Sequence, residues 1–276
     1  MIDPVATSGE KAVAATAVAL PPYVLRADAD GVATLTLNRG DRYNPLSRAM
    51  IAALHAELER IARDRTVRSV VIAANGKGFC AGHDLRELRA HPDLAWQQEL
   101  FAACNALMLQ LTRLPQPVIA RVHGIATAAG CQLVSMCDLA VAADSAHFAL
   151  PGVSVGVFCT TPAVGVARNI ARKRVMEMLL TGDPIDAATA LAWGLVNGVV
   201  PESGLDAAIG ALTRSIGARS ARVIDKGKQA FYQQVDLGLE AAYGFTSGVM
   251  ACSILDPEAQ EGIDAFVAKR PPKWGA

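Results

Sequence analysis

The chain has 276 residues with 26 basic and 26 acidic side chains, so its formal net charge is zero. Neither sign dominates, which excludes the electrostatic footprint of a nucleic-acid-binding or polyacidic-partner surface. Hydrophobic residues make up 52% and aromatic residues only 5%, with 23 glycines, which excludes a disordered or collagen-like chain.

Residues 12–20 form an Ala/Val-rich run that lacks a basic n-region and stops at Pro21-Pro22. It reads as part of a mobile arm over residues 1–22, not as a secretory signal. Residues 32–37 alternate with period two and predict a half-buried strand. Met50, Ile51, Leu54, Leu58 and Ile61 follow at helical spacing and predict a helix over 48–63. Residues 69–73, a short apolar run, predict a buried strand. A long helix over 94–114, a strand over 117–122, a helix over 126–136 and a strand over 139–143 complete the pattern. Alternating strands and helices over residues 23–200 predict an α/β core with a largely parallel sheet. Beyond Ser203 only helical stripes remain, over 205–216, 223–237 and 258–268. Residues 201–276 therefore read as a helical C-terminal segment whose apolar faces suit packing on another subunit. No uncharged stretch reaches the 18 apolar residues of a membrane helix, so no membrane partner is expected. The six cysteines (Cys80, Cys104, Cys131, Cys137, Cys159, Cys252) show no C-x-x-C pair. They read as reduced thiols in a cytoplasmic setting.

Several patterns could carry chemistry. Residues 152–156 read Gly-Val-Ser-Val-Gly, matching a hydrolase nucleophile elbow around Ser154. That fold needs a histidine after the serine, yet His55, His83, His91, His123 and His147 all precede it. Gly76, Gly78 and Gly82 have the wrong spacing for a dinucleotide turn. Histidine and cysteine spacings give no metal site. Arg168, Arg172, Lys173 and Arg174 read as a solvated helix end. What remains is a pair of small-residue turns after buried strands, residues 79–85 and 123–132. Small side chains let a ligand approach the main chain, and the second turn opens a helix with unpaired amides. Two such turns face to face would form an oxyanion hole.

The residues at these turns, with Asn38-Arg39, Asn44-Pro45-Leu46, Thr181-Gly182, residues 192–196 and residues 261–267, resemble the crotonase (enoyl-CoA hydratase/isomerase) superfamily. The resemblance runs from residue 24 to residue 274. It implies a spiral of ββα units, a helical C-terminal trimerisation segment, and homotrimers often paired into hexamers. It also implies an acyl-CoA thioester as ligand, with coenzyme A as part of the substrate and no separate cofactor or metal. The oxyanion-hole amides would be the backbone N–H groups of His83 and Ala129. Ala81, Arg86, Phe266 and Lys269 would contact the substrate, the last two often across a subunit boundary. The basic residue usual just before the Asn44 position is shifted, with Asp41 in its place and Arg42 after it.

The departures bear on the reaction. Gln132 and Gly152 stand where a hydratase of this superfamily keeps its two glutamates. Each proton-transfer group contributes about 10²–10⁴ in rate, so ordinary hydration is not expected. The single-glutamate isomerase scheme uses the Gly152 position and fails with it. The chain also resembles the subgroup of mitochondrial enoyl-CoA hydratase domain-containing proteins, which the resemblance implies shares the Gln and Gly pattern. Cys159, Cys131, His147 and Asp84 are the nearby alternative reactive groups. The sequence thus predicts a hydratase-like lyase of acyl-CoA metabolism that stabilises an enolate or oxyanion. Its alternatives are a non-catalytic acyl-CoA-binding or regulatory protein and, disfavoured, a serine hydrolase using Ser154.

Overall fold

The computed structural model describes residues 21–275. The arm read over residues 1–22 lies, apart from Pro21 and Pro22, outside the described residues. Strands β1 (Val24–Ala29) and β2 (Val32–Leu37) form an antiparallel hairpin. Its two turn residues, Asp30 and Gly31, both have positive φ (51° and 74°). That pairing matches the right-handed strand twist, and Asp-Gly is its usual sequence. Helix α1 (Arg48–Ala62) follows and buries Met50, Ile51, Leu54, Leu58 and Ile61, the stripe the spacing predicts. The Ser47 hydroxyl accepts the Met50 N–H at 3.2 Å, which caps the helix.

The chain continues through β3 (Ser69–Ala74), α2 (Leu85–Ala90), α3 (Leu94–Arg113) and β4 (Val118–Val122). Next come β5 (Ala126–Thr127), α4 (Ala129–Met136), β6 (Leu139–Ala143) and β7 (His147–Ala149). Then follow α5 (Thr160–Val166), α6 (Arg172–Thr181), β8 (Ile185–Asp186), α7 (Ala187–Trp193) and β9 (Gly198–Val200). The main sheet has the order β1-β2-β3-β4-β6-β9, parallel from β2 onward. Thr34, Val71, Ile119 and Leu139 lie in one row across it. A small second sheet joins β5, β7 and β8.

Alternate residues of β3 enter different cores. Val70 and Ile72 face the large core with α1, α3 and α4, whereas Val71 faces Leu205 and Ile209 on the other side. The middle of the sheet is covered on both faces, which is why β3 and β6 read as nearly continuous apolar runs.

The C-terminal segment is helical: α8 (Leu205–Gly217), α9 (Ala221–Gln234), α10 (Leu239–Ile254) and α11 (Pro257–Val267). Helix α9 is pinned to the core by Lys228, whose Nζ donates to Asp138 Oδ2 at 2.6 Å. The same Nζ donates to the carbonyls of Leu111 and Gln116, and Tyr232 donates to Asp138 Oδ1.

Two expectations need correction. The helix read over 126–136 begins only at Ala129, because Ala126 and Thr127 pair with Phe148 and Ala149 as a strand. The sequence stripes also missed α10. Its apolar residues lie on every side, and only Ala242 is buried among its described residues, so no helical stripe marks it.

Candidate functional site

The site rests on a turn held in place by Asn44. Tyr43 and Asn44 both adopt positive φ (60° and 50°), which turns the chain beneath the loop after β3. Asn44 Oδ1 accepts the Arg39 N–H at 2.8 Å, and Nδ2 donates to the carbonyls of Asn75 (2.8 Å) and Gly78 (3.0 Å). The loop backbone then ladders onto this turn. The Ala81 N–H donates to Tyr43 O at 2.9 Å, and the Leu46 N–H donates to Gly82 O at 2.7 Å. On its other side the loop meets the second turn, with the Thr127 N–H donating to Cys80 O at 2.9 Å. Thr127 Oγ1 donates to Ala81 O at 3.1 Å. The two small-residue turns expected from sequence are thus joined.

Glycine is required where they touch. A Cβ on Gly130 would stand 2.1 Å from Cys80 O, so α4 reaches the loop only without a side chain there. Gly82 has φ +85°, and a Cβ on it would lie 3.1 Å from Ala129 N. The Gly82–His83 peptide therefore lies beside the start of α4. Ala128, just before α4, has φ 50° and ψ −121°, a conformation that costs a non-glycine residue roughly 1–3 kcal/mol. Its N–H donates to Ala149 O at 2.9 Å, which holds the strained turn. Among the described residues, neither the His83 N–H nor the Ala129 N–H has an acceptor. These are the two amides singled out in the sequence.

Gln132 lies one turn further along α4, only 3% exposed, and its Oε1 is buried without a partner among the described residues. His83 packs its ring edge-on against Phe101, with centroids 5.1 Å apart. Its Nε2 is likewise buried and unpartnered among the described residues. Burial pushes its pKa down to about 4, so the ring is neutral near pH 7. Ala81 is exposed beside it.

A cleft of about 790 Å³ opens near this loop, bordered by Tyr23, Arg39, Arg42, Pro45, Asp84 and Glu87. Arg39 stacks over Tyr23 at 3.8 Å and donates to the main-chain carbonyls of Pro21, Pro22 and Asn38. Among the described residues its guanidinium pairs with no carboxylate. The sequence marked Arg39 only as part of a resemblance; its location in the cleft comes from the fold.

The enoyl-CoA hydratase/isomerase family matches residues 27–276. The chain belongs to that family. It is 42% identical over 245 residues to the mouse mitochondrial enoyl-CoA hydratase domain-containing protein 3, covering 89% of this chain and 82% of the relative. The crystal structure of human enoyl coenzyme A hydratase domain-containing protein 3 is similar, with TM-score 0.89 and 41% identity. That match covers 91% of this chain and all of the other. An enoyl-CoA hydratase structure from Mycobacterium smegmatis gives TM-score 0.90 and 50% identity, covering 92% of this chain and 99% of the other. The crotonase-like α/β fold with its helical C-terminal region is therefore established. The cytoplasmic setting is corrected: the mouse, rat, human and frog relatives are named as mitochondrial proteins. Cysteines without a disulfide partner do not say which compartment holds the chain.

In this family member the Gly152 position is closed. A Cβ there would stand 2.7 Å from Val157 O and 2.9 Å from Cys159 Sγ. The Val157 N–H donates to Gly152 O at 3.0 Å, which folds residues 153–159 back over the glycine. The alternative reactive groups fare poorly. Burial raises the Cys159 thiol pKa and pushes the Cys131 thiol up to about 12, so both stay protonated. Asp84 caps α2, accepting the N–H groups of Arg86 and Glu87. His147 is exposed on β7, its Nδ1 3.0 Å from Ser145 O.

Other candidates separate from the turns. Ser154 sits exposed in a 3-10 turn (Pro151–Val155), without the strand-to-helix elbow that a hydrolase serine needs. Arg168 pairs with Asp236 at 3.4 Å, and Arg174 pairs with Glu177 at 3.1 Å. Arg86 is exposed on α2. Phe266, 84% exposed, and Lys269 lie at the end of α11, which packs chiefly on α9 and α10.

Proposed function

We propose that this protein binds an acyl-CoA thioester with its carbonyl oxygen accepting the N–H groups of His83 and Ala129. The observation that carries this reading is the pair of adjacent amides at the joined turns that have no acceptor among the described residues. Each such donor lowers a barrier by roughly 3–4 kcal/mol when negative charge develops on the oxygen. The hole therefore favours reactions through a thioester enolate or tetrahedral oxyanion. Relatives support the ligand class. The chain is 32% identical to 1,2-epoxyphenylacetyl-CoA isomerase and 33% identical to 2,3-dehydroadipyl-CoA hydratase, both of Escherichia coli.

Ordinary enoyl hydration is not the reaction in this proposal. Gln132 is an amide, which exchanges no useful proton near neutral pH. Gly152 has no side chain, and the space beside it is filled by Val157 O and Cys159 Sγ. Arg39 and Arg42 border the cleft proposed for the coenzyme A nucleotide, and Ala81 and Arg86, both exposed, are proposed to meet the substrate beside it. Exposed Leu239, Tyr243, Leu255, Phe266 and Val267 make the helical segment 201–276 the assembly surface of a proposed trimer or hexamer. There Phe266 and Lys269 would reach a coenzyme A across the subunit boundary.

A second reading, a non-catalytic acyl-CoA-binding protein, is favoured by one observation: Gln132 and Gly152, which carry no carboxylate, hold the two positions of the family's glutamates. Titrating the protein with crotonyl-CoA while following the enoyl absorbance tests both. Binding without rapid loss of absorbance is the proposed outcome. Turnover within tenfold of an ordinary hydratase would overturn the claim about Gln132 and Gly152.

A further inference from the structure

The cleft beside the joined turns is bordered by more anions than cations. Arg39 and Arg42 are its cations, and Asp41, Asp84 and Glu87 its anions. The turn bearing Asp41 and Arg42 is fixed in place. A Cβ on Gly40 would stand 2.6 Å from Asn75 O, and one on Gly76 would stand 2.5 Å from Gly40 Cα. The two main chains therefore touch at the cleft wall. Arg42 Nε lies 3.7 Å from Asp41 Oδ2, which sets one charge against the other. Asp84 is held by the N–H groups of Arg86 and Glu87, and Glu87 Oε2 accepts the Arg48 N–H at 2.9 Å. Arg39 is left as the cleft's cation without a carboxylate partner among the described residues.

We propose that Asp41 turns the cleft against a second phosphate, so that the protein binds a dephospho-CoA thioester at least as tightly as the CoA thioester. This rests on the acyl-thioester reading above and adds which part of the carrier is recognised. The coenzyme A nucleotide bears a diphosphate and, on its ribose, a 3′-phosphate monoester. Such a monoester carries about 1.5 to 2 negative charges near pH 7. Arg39, its plane fixed over Tyr23, meets one phosphate group. A further phosphate in the same cleft finds Arg42 already paired and the carboxylates of Asp84 and Glu87 along the border. A cleft with an excess of one sign of charge disfavours ligands of that sign. Asp41 decides the outcome, because without it Arg42 is free to take the second phosphate.

Calorimetric titration of the full chain with butyryl-CoA, butyryl-dephospho-CoA and butyryl-pantetheine tests the inference. At about 0.02 M salt, where screening is weak, the dephospho compound should bind as tightly as butyryl-CoA or tighter. Asp41→Lys should shift the ratio toward butyryl-CoA by about threefold to tenfold, and Asp41→Asn should shift it less in the same direction. In about 0.5 M salt both shifts should shrink. Asp41 is exposed, so both variants should fold, which thermal melting checks. Butyryl-CoA binding about threefold or more tighter than the dephospho compound in the unmodified protein overturns the inference. A ratio unmoved by Asp41→Lys overturns it too. Butyryl-pantetheine bound as tightly as both nucleotides also overturns it, placing the nucleotide outside the cleft while the acyl-thioester reading stands. Binding of none of the three sinks that underlying reading itself.

Discussion

Restoring the glutamates by mutation should fail, and the reason lies in the main chain. A side chain at position 152 meets Val157 O at 2.7 Å and Cys159 Sγ at 2.9 Å at its first carbon. The oxygen belongs to the backbone and cannot rotate away, so residues 153–159 must shift as a unit. Overpacking of this kind costs about 1–3 kcal/mol. At roughly 2–4 °C per kcal/mol for a chain near this size, Gly152→Glu should melt a few to about ten degrees lower. Gly217→Ala is the control, since nothing lies within 4 Å of that Cβ position. It should stay within about 0.5 kcal/mol of the parent. If two carboxylates could take up working positions, the double variant Gln132→Glu with Gly152→Glu would gain roughly 10⁴ or more in crotonyl-CoA hydration. The closed loop predicts a gain under about tenfold, because the second carboxylate is displaced. Thermal melts and the loss of enoyl absorbance read both effects. An unchanged melting temperature with strong hydration would refute the packing argument.

Lys228→Met should cost about 3–5 kcal/mol in urea unfolding, because it strands Asp138 in a part-buried site. Combining it with Asp138→Leu should cost less than the two single changes summed. Asn44→Ala removes one acceptor and two donors from the turn and should cost about 2 kcal/mol or more. Its amide-exchange protection should fall first over residues 75–83. The pKa of His83, about 4 against an ordinary 6.5, makes stability pH-dependent. The unfolded chain takes up this proton more readily, so the contribution is complete above pH 6.5 and is lost as pH falls toward 4. The loss is on the order of 3 kcal/mol, and His83→Leu should remove that part of the slope in denaturant titrations from pH 7 to pH 4.

Much of the sheet was legible because β3 is buried on both faces and reads as a nearly continuous apolar run, as does β4 except at Arg121, which pairs with Asp206. The α1 stripe was legible for the complementary reason, one face in the core and one in water. The β1–β2 hairpin carried its signal in Asp30-Gly31, yet β1 has mixed exposure and gave no clear alternation. Helix α10 stayed hidden because an exposed helix with apolar residues all round has no stripe. The two turns were visible as small-residue clusters, and Asn44 as part of a motif. Its three hydrogen bonds were not visible, since they link positions up to 34 residues apart. The closure of Gly152 was also illegible, because a glycine in a sequence does not say which main-chain atoms occupy its missing side chain's place.

Infrared difference spectroscopy of crotonyl-CoA labelled with carbon-13 at the thioester carbonyl tests the central claim most directly. If the amides of His83 and Ala129 grip the oxygen, the carbonyl stretch moves to lower frequency in the complex while the enoyl double bond persists. An unshifted stretch in a saturated complex, or hydration of the double bond at an ordinary hydratase rate, would contradict the account.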